Sequence, residues 1–148
     1  MSPSGSRDAA AGAREAALQM MYARELGGQE PSAIQRWYLQ AHPLPARVQQ
    51  QAGALFNAAV AQQERIEDLI RRHAVGWRLE RISVIDRSLL KLAIAELLLQ
   101  PTASSAEVTQ ATLRLARRYS QPEVLKFLHG LLDAIAREIA PRPAPTPG

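Results

Sequence analysis

Apolar residues recur along most of this chain at steps of three and four, the spacing that places side chains on one face of a helix. No segment is predicted as a strand. We therefore predict an all-α chain with about seven helical segments. They cover residues 8–26, 32–42, 45–74, 77–83, 84–99, 106–119 and 122–139, of which 77–83 is expected to be a single turn.

Polar residues that can cap a helix N-terminus stand at the start of four of these segments. They are Asp8 for the first, Ser32 for the second, Ser83 for the fifth and Ser105 for the sixth. Pro122 stands where the first helical position of the last segment is expected, because its fixed φ suits that position. These residues set the predicted boundaries between the helices.

Residues 84–99 read VIDRSLLKLAIAELLL and are apolar on nearly every side. A helix this short with that pattern is predicted to lie in the centre of the protein rather than in lipid. Short connections imply antiparallel neighbours and hence a helical bundle. We predict a single domain over residues 8–140, with disordered tails at 1–7 and 141–148, where Pro, Gly and Ser are frequent.

A chain of 148 residues, 47% of them hydrophobic, is long enough for one domain with a real core. No stretch reaches the roughly 18 uncharged apolar residues that a membrane span needs. The N-terminus also lacks the apolar run of a secretory signal, so we expect a soluble cytoplasmic protein with no membrane partner. The absence of cysteine excludes disulfides, thiolate nucleophiles and sulfur-ligated metal sites.

Basic residues exceed acidic ones by four, and sixteen of the eighteen basic residues are arginine. Residues 1–30 carry three arginines against four carboxylates, so the excess positive charge lies in residues 31–148. Arginine suits phosphate because its guanidinium is a planar fork. A GC-rich genome, whose codons favour Arg and Ala, explains the same composition without a function, and the sequence leaves both interpretations open.

No catalytic or cofactor-binding pattern is present in the sequence. His42, His73 and His129 lie far apart and show no metal-ligand spacing such as HxxxH, so no metal is predicted. No glycine-rich loop follows a strand, so no nucleotide cofactor is predicted either. Glu96 lies inside an apolar helix, where an ionised group needs hydrogen-bond donors, and a structural role beside a helix end or loop is the simpler interpretation. The chain is predicted to bind rather than to catalyse.

Three segments together resemble a known family. From Trp77 the chain reads WRLERISVIDRSLLKLAIAELLL. This is similar to the middle of the bacterial NusB transcription antitermination factors, where a tryptophan, an ERI-like turn and an acidic-basic pair precede a helix that ends in E-L-L. LKFLHGLLDAI resembles the family's K-F-V-N-G-V-L-D segment, and AREAALQMMY resembles its first helix. The three segments follow the family's order and spacing.

The resemblance implies a NusB-like fold of two small antiparallel helical bundles packed together, and no enzyme activity. It implies binding of the single-stranded boxA element of nascent ribosomal RNA together with NusE, a small-subunit ribosomal protein, within the antitermination complex of RNA polymerase. By motif position it assigns four residues to RNA binding, namely Arg14, Gln19, Tyr22 and Lys126. It assigns four residues to the protein partner or to the RNA beside it, namely Asp86, Tyr119, Glu123 and Phe127.

These residue types suit single-stranded RNA, although each has an ordinary alternative. Cations hold phosphates, and flat side chains stack under bases, each stack being worth roughly 1–3 kcal/mol. Tyr22 and Tyr119 are candidate platforms, but a tyrosine at a helix end is also common at the edge of a core. Phe127 lies on an apolar face and equally suits a core position. The three arginines within residues 114–118 form either a basic stripe or a solvated helix face.

The chain departs from the family's pattern where RNA contacts are expected. The family usually carries Arg and Lys just before the A-R-E of its first helix, whereas this chain has AAAGA at residues 9–13. Gln110-Ala111 replaces an Asn-Glu pair, and His129 replaces the Asn before Gly130. Because each lost phosphate contact weakens the salt-dependent part of affinity, we expect weaker boxA binding than a typical member shows.

Three functions remain open. The first is the antitermination factor itself, and the second is a diverged NusB-like protein-interaction module without RNA binding. The third is an accessory of RNA modification, because a similar helical domain precedes the catalytic domain of ribosomal RNA cytosine methyltransferases. This chain stops before any methyl-donor fold, so we do not expect it to be that enzyme. Apolar helix faces could also close on a second copy, which makes a homodimer a further candidate.

Overall fold

The computed structural model describes residues 3–99 and 104–140. Within these residues the chain forms seven α-helices, two 3-10 turns and no strand, which confirms the predicted all-α fold. The helices are α1 (Pro3–Gly27), α2 (Pro31–Ala41), α3 (Ala46–Ala61), α4 (Gln63–His73), α5 (Val84–Leu99), α6 (Ser105–Tyr119) and α7 (Leu125–Ile139). The 3-10 turns, Leu79–Arg81 and Pro122–Val124, precede α5 and α7.

Two groups of helices share one core. α2 and α3 pack on α1 in the first group, and α4 and α6 pack on α7 in the second. α5 contacts α1 and α3 of the first group and α4, α6 and α7 of the second. The buried apolar side chains form one continuous cluster. The two small bundles that were expected are therefore present, and α5 joins them.

α5 is central because its sequence is apolar on nearly all sides. Every residue from Ser88 to Ala95 is buried, and each fully buried Leu or Ile stabilises the fold by about 1.5–3 kcal/mol. Ser83 caps the helix as predicted, because its Oγ accepts a hydrogen bond from the Asp86 N–H at 3.2 Å. None of the helices in the described part of the chain is both long enough and apolar enough to cross a bilayer.

The predicted long helix over residues 45–74 is wrong, because the chain breaks it at Gln62, with φ −101° and ψ 18°. Neither glycine nor proline marks this position in the sequence. The break lets α3 pack on α1 and α5 while α4 packs on α5 and α7, so tertiary packing outweighs local helix propensity here. The apolar residues predicted for this segment are buried nonetheless, namely Val48, Ala52, Leu55, Ala59, Ile66, Leu69 and Ile70.

The first helix starts earlier than predicted. α1 begins at Pro3, so Asp8 lies inside the helix and does not cap it. Residues 3–7, which were expected to belong to a tail, therefore have helical backbone. The alanines that follow Asp8 are the strongest helix formers, so nothing in the sequence stops the helix there. Residues 1–2 and the expected tail at 141–148 lie outside the described residues.

Two other predicted caps are displaced by one or two residues. α2 begins at Pro31, which takes the first helical position and leaves Ser32 inside the helix. Ser104, and not Ser105, caps α6, because its side chain accepts a hydrogen bond from the Glu107 N–H at 3.4 Å. The loop at 100–103 that leads into α6 lies outside the described residues.

Candidate nucleic-acid interface

Glu15 of α1 is bonded to the C-terminal end of α6. Tyr119 Oη donates to Glu15 Oε1 at 2.7 Å, and Arg118 Nη1 donates to Glu15 Oε2 at 3.2 Å. The Arg118 guanidinium lies 5.5 Å from the centre of the Tyr119 ring, a cation–π distance. The hydrogen bond to Glu15 raises the pKa of Tyr119, so its hydroxyl remains a donor at neutral pH. We call these three residues the α1–α6 seam.

Next to the seam, α1, α2 and α6 surround an open cavity of about 590 Å³, which we call the aromatic pocket. It brings together three residues predicted from the sequence, because α1 supplies Gln19 and Tyr22 and α6 supplies Tyr119. Two further rings, which no motif in the sequence assigned to a site, are Trp37 of α2 and His42, the residue after α2. The full lining is Leu18, Gln19, Tyr22, Ala23, Leu26, Trp37, Tyr38, His42, Ile85 and Tyr119.

Four of the five rings of this pocket are exposed, and the fifth, Tyr38, holds His42 in position. Tyr38 is buried, and its ring stacks on that of His42 with the ring centres 4.2 Å apart. His42 Nδ1 lies 3.1 Å from the carbonyl oxygen of Tyr38, which orients the imidazole. Trp37 is 60% exposed, Tyr22 39% and Tyr119 38%. The pocket therefore presents flat apolar surfaces to solvent on a fixed frame.

The seam also borders a second open cavity, of about 840 Å³, which we call the α1–α6 groove. Two of the departures from the family pattern meet here, because residues 10–11 form part of its α1 wall and Gln110-Ala111 part of its α6 wall. Arg114 is exposed, and no described residue forms a hydrogen bond or ion pair with it. It is thus available to an anion. The lining is Ala10, Ala11, Arg14, Glu15, Ala106, Glu107, Gln110, Ala111, Arg114, Leu115 and Arg118.

Arg14, predicted to hold RNA, is bound to the carboxylate of Glu96 on α5. Its Nε and Nη2 donate to the two Glu96 oxygens at 2.9 and 2.6 Å, and the side chains are only 23% and 20% exposed. The hydrogen bond to Glu96 raises the pKa of Arg14. Glu96 therefore has a structural partner, which is a guanidinium in the middle of α1 and not a helix end or loop. Nη1 is the nitrogen of Arg14 that this pair leaves open.

Asp86, predicted to meet a partner, is buried. Its Oδ2 accepts a hydrogen bond from the Ser83 hydroxyl at 2.6 Å, and its Oδ1 accepts one from the Ser120 hydroxyl. The carboxylate thus ties the first turn of α5 to the residue that follows Tyr119. In this position Asp86 can act on the aromatic pocket by holding Tyr119, because its own oxygens are already bonded.

Glu123, Lys126 and Phe127 line neither cavity. Glu123 lies in the 3-10 turn before α7, and Lys126 and Phe127 lie in the first turn of α7, where Phe127 packs on Trp77 with the ring centres 5.0 Å apart. Trp77 is 56% exposed, and Glu123 and Lys126 are exposed without a hydrogen bond or ion pair to any described residue. We call these four residues the α7 patch. The structure does not bring Lys126 into one cavity with Gln19 and Tyr22.

The histidines lie in three separate places. His42 stacks in the aromatic pocket, His73 Nε2 lies 3.0 Å from Glu138, and His129 Nε2 lies 3.3 Å from Asp133. In the described parts of the chain, no three His, Asp or Glu side chains converge on a point that could hold a metal ion.

The sequence model of the NusB family matches residues 11–137. The chain belongs to the NusB family. It is 36% identical to the transcription antitermination protein NusB of Koribacter versatilis (strain Ellin345), over 85% of this chain and 87% of the relative. T. maritima NusB shares the fold with a TM-score of 0.82 at 28% identity, over 89% of this chain and 93% of that one.

A chain in a crystal structure of the antitermination factors NusB and NusE in complex with dsRNA also superposes, with a TM-score of 0.81 over 88% of this chain and 98% of that one. At 24% identity this likeness shows the shared fold alone. The NusB match includes every residue of the aromatic pocket and the α7 patch. Ala10 precedes the match and Ala11 begins it, so the N-terminal end of the groove's α1 wall lies at the margin of the NusB pattern, while Arg14 and Glu15 of the same wall lie inside it.

Proposed function

We propose that this chain is a transcription antitermination factor that binds single-stranded boxA-like RNA of nascent ribosomal transcripts together with NusE. It acts without catalysis, in the cytoplasm, as part of the antitermination complex of RNA polymerase. The observation that carries the proposal is the aromatic pocket of a NusB-family chain, open to solvent and adjoining a groove that contains an unpaired arginine among the described residues. The naming of its relatives as antitermination proteins supports the same function.

In this proposal the RNA backbone follows the α1–α6 groove and its bases reach the aromatic pocket. Arg114 holds a phosphate, since it is exposed and unpaired among the described residues. Arg118 is already hydrogen-bonded to the Glu15 carboxylate. Arg14 has only Nη1 left to donate to a phosphate, because its Nε and Nη2 are bonded to Glu96. Gln19, Tyr22 and Tyr119 meet the bases. The grip on phosphate is weak because two of the three groove arginines are paired with carboxylates.

The proposed contact with NusE is the α7 patch. Trp77 supplies an exposed ring that packs on the partly buried Phe127, and Glu123 and Lys126 supply opposite charges beside it. Aromatic side chains with a charged rim are typical of protein interfaces. In this proposal Lys126, which is exposed and unpaired among the described residues, is a further phosphate contact beside the patch. NusB and NusE have been crystallised together with dsRNA, in a structure whose fold this chain shares.

The test is a titration of fluorescently labelled boxA-like RNA with the protein, alone and with NusE, at about 50 and about 200 mM salt. We expect binding that weakens with salt and strengthens with NusE. Arg114→Gln should weaken binding and lower the slope of log K against log salt by about 0.7, the value for one phosphate contact on a single strand. Arg137→Gln is the matched control, since Arg137 is also exposed and helical but lines neither cavity.

A second candidate is the NusB-like interaction module without RNA binding. It is favoured by the alanines at the N-terminal wall of the groove and by the pairing of Arg14 and Arg118 with carboxylates. The same titration separates the two. Absence of RNA binding in every condition, with retained binding of NusE, would select the interaction module. A homodimer stays a prediction, which light scattering across a concentration series would test.

A further inference from the structure

The outer wall of the aromatic pocket comes from α2, a helix to which neither the motif positions nor the resemblance assigned a role. Trp37 is 60% exposed, more than Tyr22 or Tyr119 of the same pocket. It touches its neighbours only edge-on, with ring centres 6.4 Å from Tyr38 and 6.5 Å from His42. Leu26, on the same pocket, is 61% exposed. An indole left open beside other apolar surface marks a binding site more often than an isolated exposed residue does.

Contacts within the protein fix the inner part of the α2 wall before any ligand arrives. The buried Tyr38 fixes His42 by stacking at 17° between ring planes, and the Tyr38 carbonyl oxygen holds His42 Nδ1. Trp37 is within the regular helix, so its ring position is limited to a few rotamers. A preorganised wall lowers the entropy lost when a flat ligand binds.

The size and chemistry of the pocket suit a planar ring with polar edges. Its volume of about 590 Å³ falls within the roughly 300–1,000 Å³ of small-molecule sites. Most of the lining is aromatic or aliphatic, while the amide of Gln19 and the open ring nitrogen of His42 stand among it. Nucleobases bind to such sites by stacking on aromatic rings and by hydrogen bonds at their edges.

The pocket is also continuous with a surface suited to a nucleic-acid backbone. Tyr119 lines the pocket and is bonded to Glu15, which also binds Arg118 at the edge of the α1–α6 groove. A base in the pocket and a phosphate at Arg114 would therefore belong to one strand crossing the seam. An apolar side chain from a protein would use the pocket but would gain nothing from the neighbouring arginines.

We propose that the aromatic pocket holds one unstacked nucleobase of a single-stranded RNA, and that Trp37 is its stacking residue, with Gln19 and His42 at the base edge. The proposal rests on the proposed function and adds α2 to the RNA surface.

The first test uses the intrinsic fluorescence of Trp37. The chain has two tryptophans, so a Trp77→Phe variant leaves Trp37 as the only reporter. Adding boxA-like RNA to that variant should quench the Trp37 emission with the same midpoint as the anisotropy titration. RNA that binds without changing the Trp37 emission would overturn the stacking assignment and leave the proposed function standing.

The second test is a double-mutant cycle with the RNA. Trp37→Ala should weaken binding by about 5- to 150-fold, the equivalent of one stack at roughly 1–3 kcal/mol, and Trp37→Phe should restore most of it. Gln40→Ala, an exposed change on α2 outside the pocket, is the control. The other half of the cycle uses a set of RNAs that each lack one base. With the wild-type protein, removal of the base at one position should weaken binding by the same factor as Trp37→Ala. With the Trp37→Ala protein, removal of that base should weaken binding no further.

The outcomes separate the two proposals. Equal RNA affinity of wild type and Trp37→Ala overturns the base site alone, whereas RNA that binds neither protein overturns the proposed function and the base site with it. If NusE without RNA quenches Trp37 and loses affinity on Trp37→Ala, the pocket belongs to the protein partner and the base assignment is wrong.

Discussion

The two faces of the last turns of α1 differ in what they bury. The inner face carries a largely buried, paired charge, and the outer face carries exposed apolar side chains. On the inner face, Glu25 is 15% exposed and accepts hydrogen bonds from Lys91 at 2.5 Å and from Arg87 at 3.2 Å. On the outer face, Tyr22 is 39% exposed and Leu26 is 61% exposed. The inner face thus satisfies a charge inside the protein, while the outer face leaves apolar surface uncovered. We conclude that the first face stabilises the fold and the second is available for binding.

The inner face belongs to a cluster of charges that joins three helices, and we call Glu25, Glu67, Arg87 and Lys91 the Lys91 cluster. The Lys91 ammonium of α5 is 4% exposed and lies 2.5 Å from Glu25 of α1 and 3.0 Å from Glu67 of α4. A buried charge is tolerated only when it is paired and hydrogen-bonded. The cluster therefore connects the two helix groups through α5 by charges that all have partners.

The largest effect is expected for Lys91→Met, which keeps the apolar stem and removes the charge. Glu25 and Glu67 then lose their common cation, and the free energy of unfolding should fall by about 3–5 kcal/mol, as for other broken buried pairs. Urea denaturation measures it. Lys126→Met, on an exposed lysine, should change stability by less than about 0.5 kcal/mol. A Lys91→Met protein as stable as wild type would show that the cluster does not hold the helices together.

Arg14 is bonded to Glu96 inside the fold and is also a candidate contact for an RNA phosphate. A pair of variants separates these two roles. Arg14→Gln and Glu96→Gln should each lower the free energy of unfolding by roughly 1.5–3 kcal/mol, because each breaks charge-assisted hydrogen bonds that are only partly exposed to water. The double variant should lose less than the sum of the two. If Nη1 also holds a phosphate, Arg14→Gln should weaken RNA binding more than Glu96→Gln. Equal RNA affinities would make Arg14 purely structural.

A smaller effect is expected at the exposed ion pair between α4 and α7. The hydrogen bond from His73, together with Arg72, lowers the pKa of Glu138. A carboxyl group with a lowered pKa in the folded state stabilises the protein above its ordinary value of 4.5 and loses that contribution as the pH falls through the lowered pKa. Glu138→Gln should therefore reduce Tm slightly at pH 7, and the difference from wild type should vanish in acid.

Changing the ionic strength distinguishes the exposed Arg72–Glu138 pair from the Lys91 cluster. Because Arg72 and Glu138 are 51% and 37% exposed, salt should reduce the difference in Tm between wild type and Glu138→Gln. The Lys91 cluster is shielded from solvent, so the Lys91→Met difference should change little with salt. A Glu138→Gln difference that grows as the pH falls would contradict the assigned pKa direction.

The sequence predicts best what local spacing determines. The burial of α5, the Ser83 cap and the apolar stripes of α3 and α4 follow from the three-and-four spacing. The break at Gln62 does not, because it depends on how α4 turns toward α7 and no residue type marks it. Among site residues, Gln19 and Tyr22, which the resemblance assigned to RNA, line one pocket with Tyr119, which it assigned to the protein partner or the RNA beside it.

The features of the candidate site that the sequence does not predict depend mostly on contacts between residues far apart in the chain. Arg14 and Glu96 are separated by 82 positions, and no periodicity pairs them. Trp37 enters the pocket because α2 packs beside α1, which a single sequence does not reveal. Asp86 was expected at a surface, but the Ser83 and Ser120 hydroxyls hold its carboxylate inside. Ser83, three positions before Asp86, was the available signal, whereas Ser120 lies 34 positions away.

The most direct test of the account is the RNA affinity and the stability of Tyr22→Ala, measured on the same preparation by anisotropy with boxA-like RNA and by thermal unfolding. Affinity should drop by about 5- to 150-fold, while the free energy of unfolding changes by less than about 1 kcal/mol because the ring is partly exposed. Undiminished RNA binding by Tyr22→Ala and by Arg114→Gln would contradict the placement of the interface on α1 and α6.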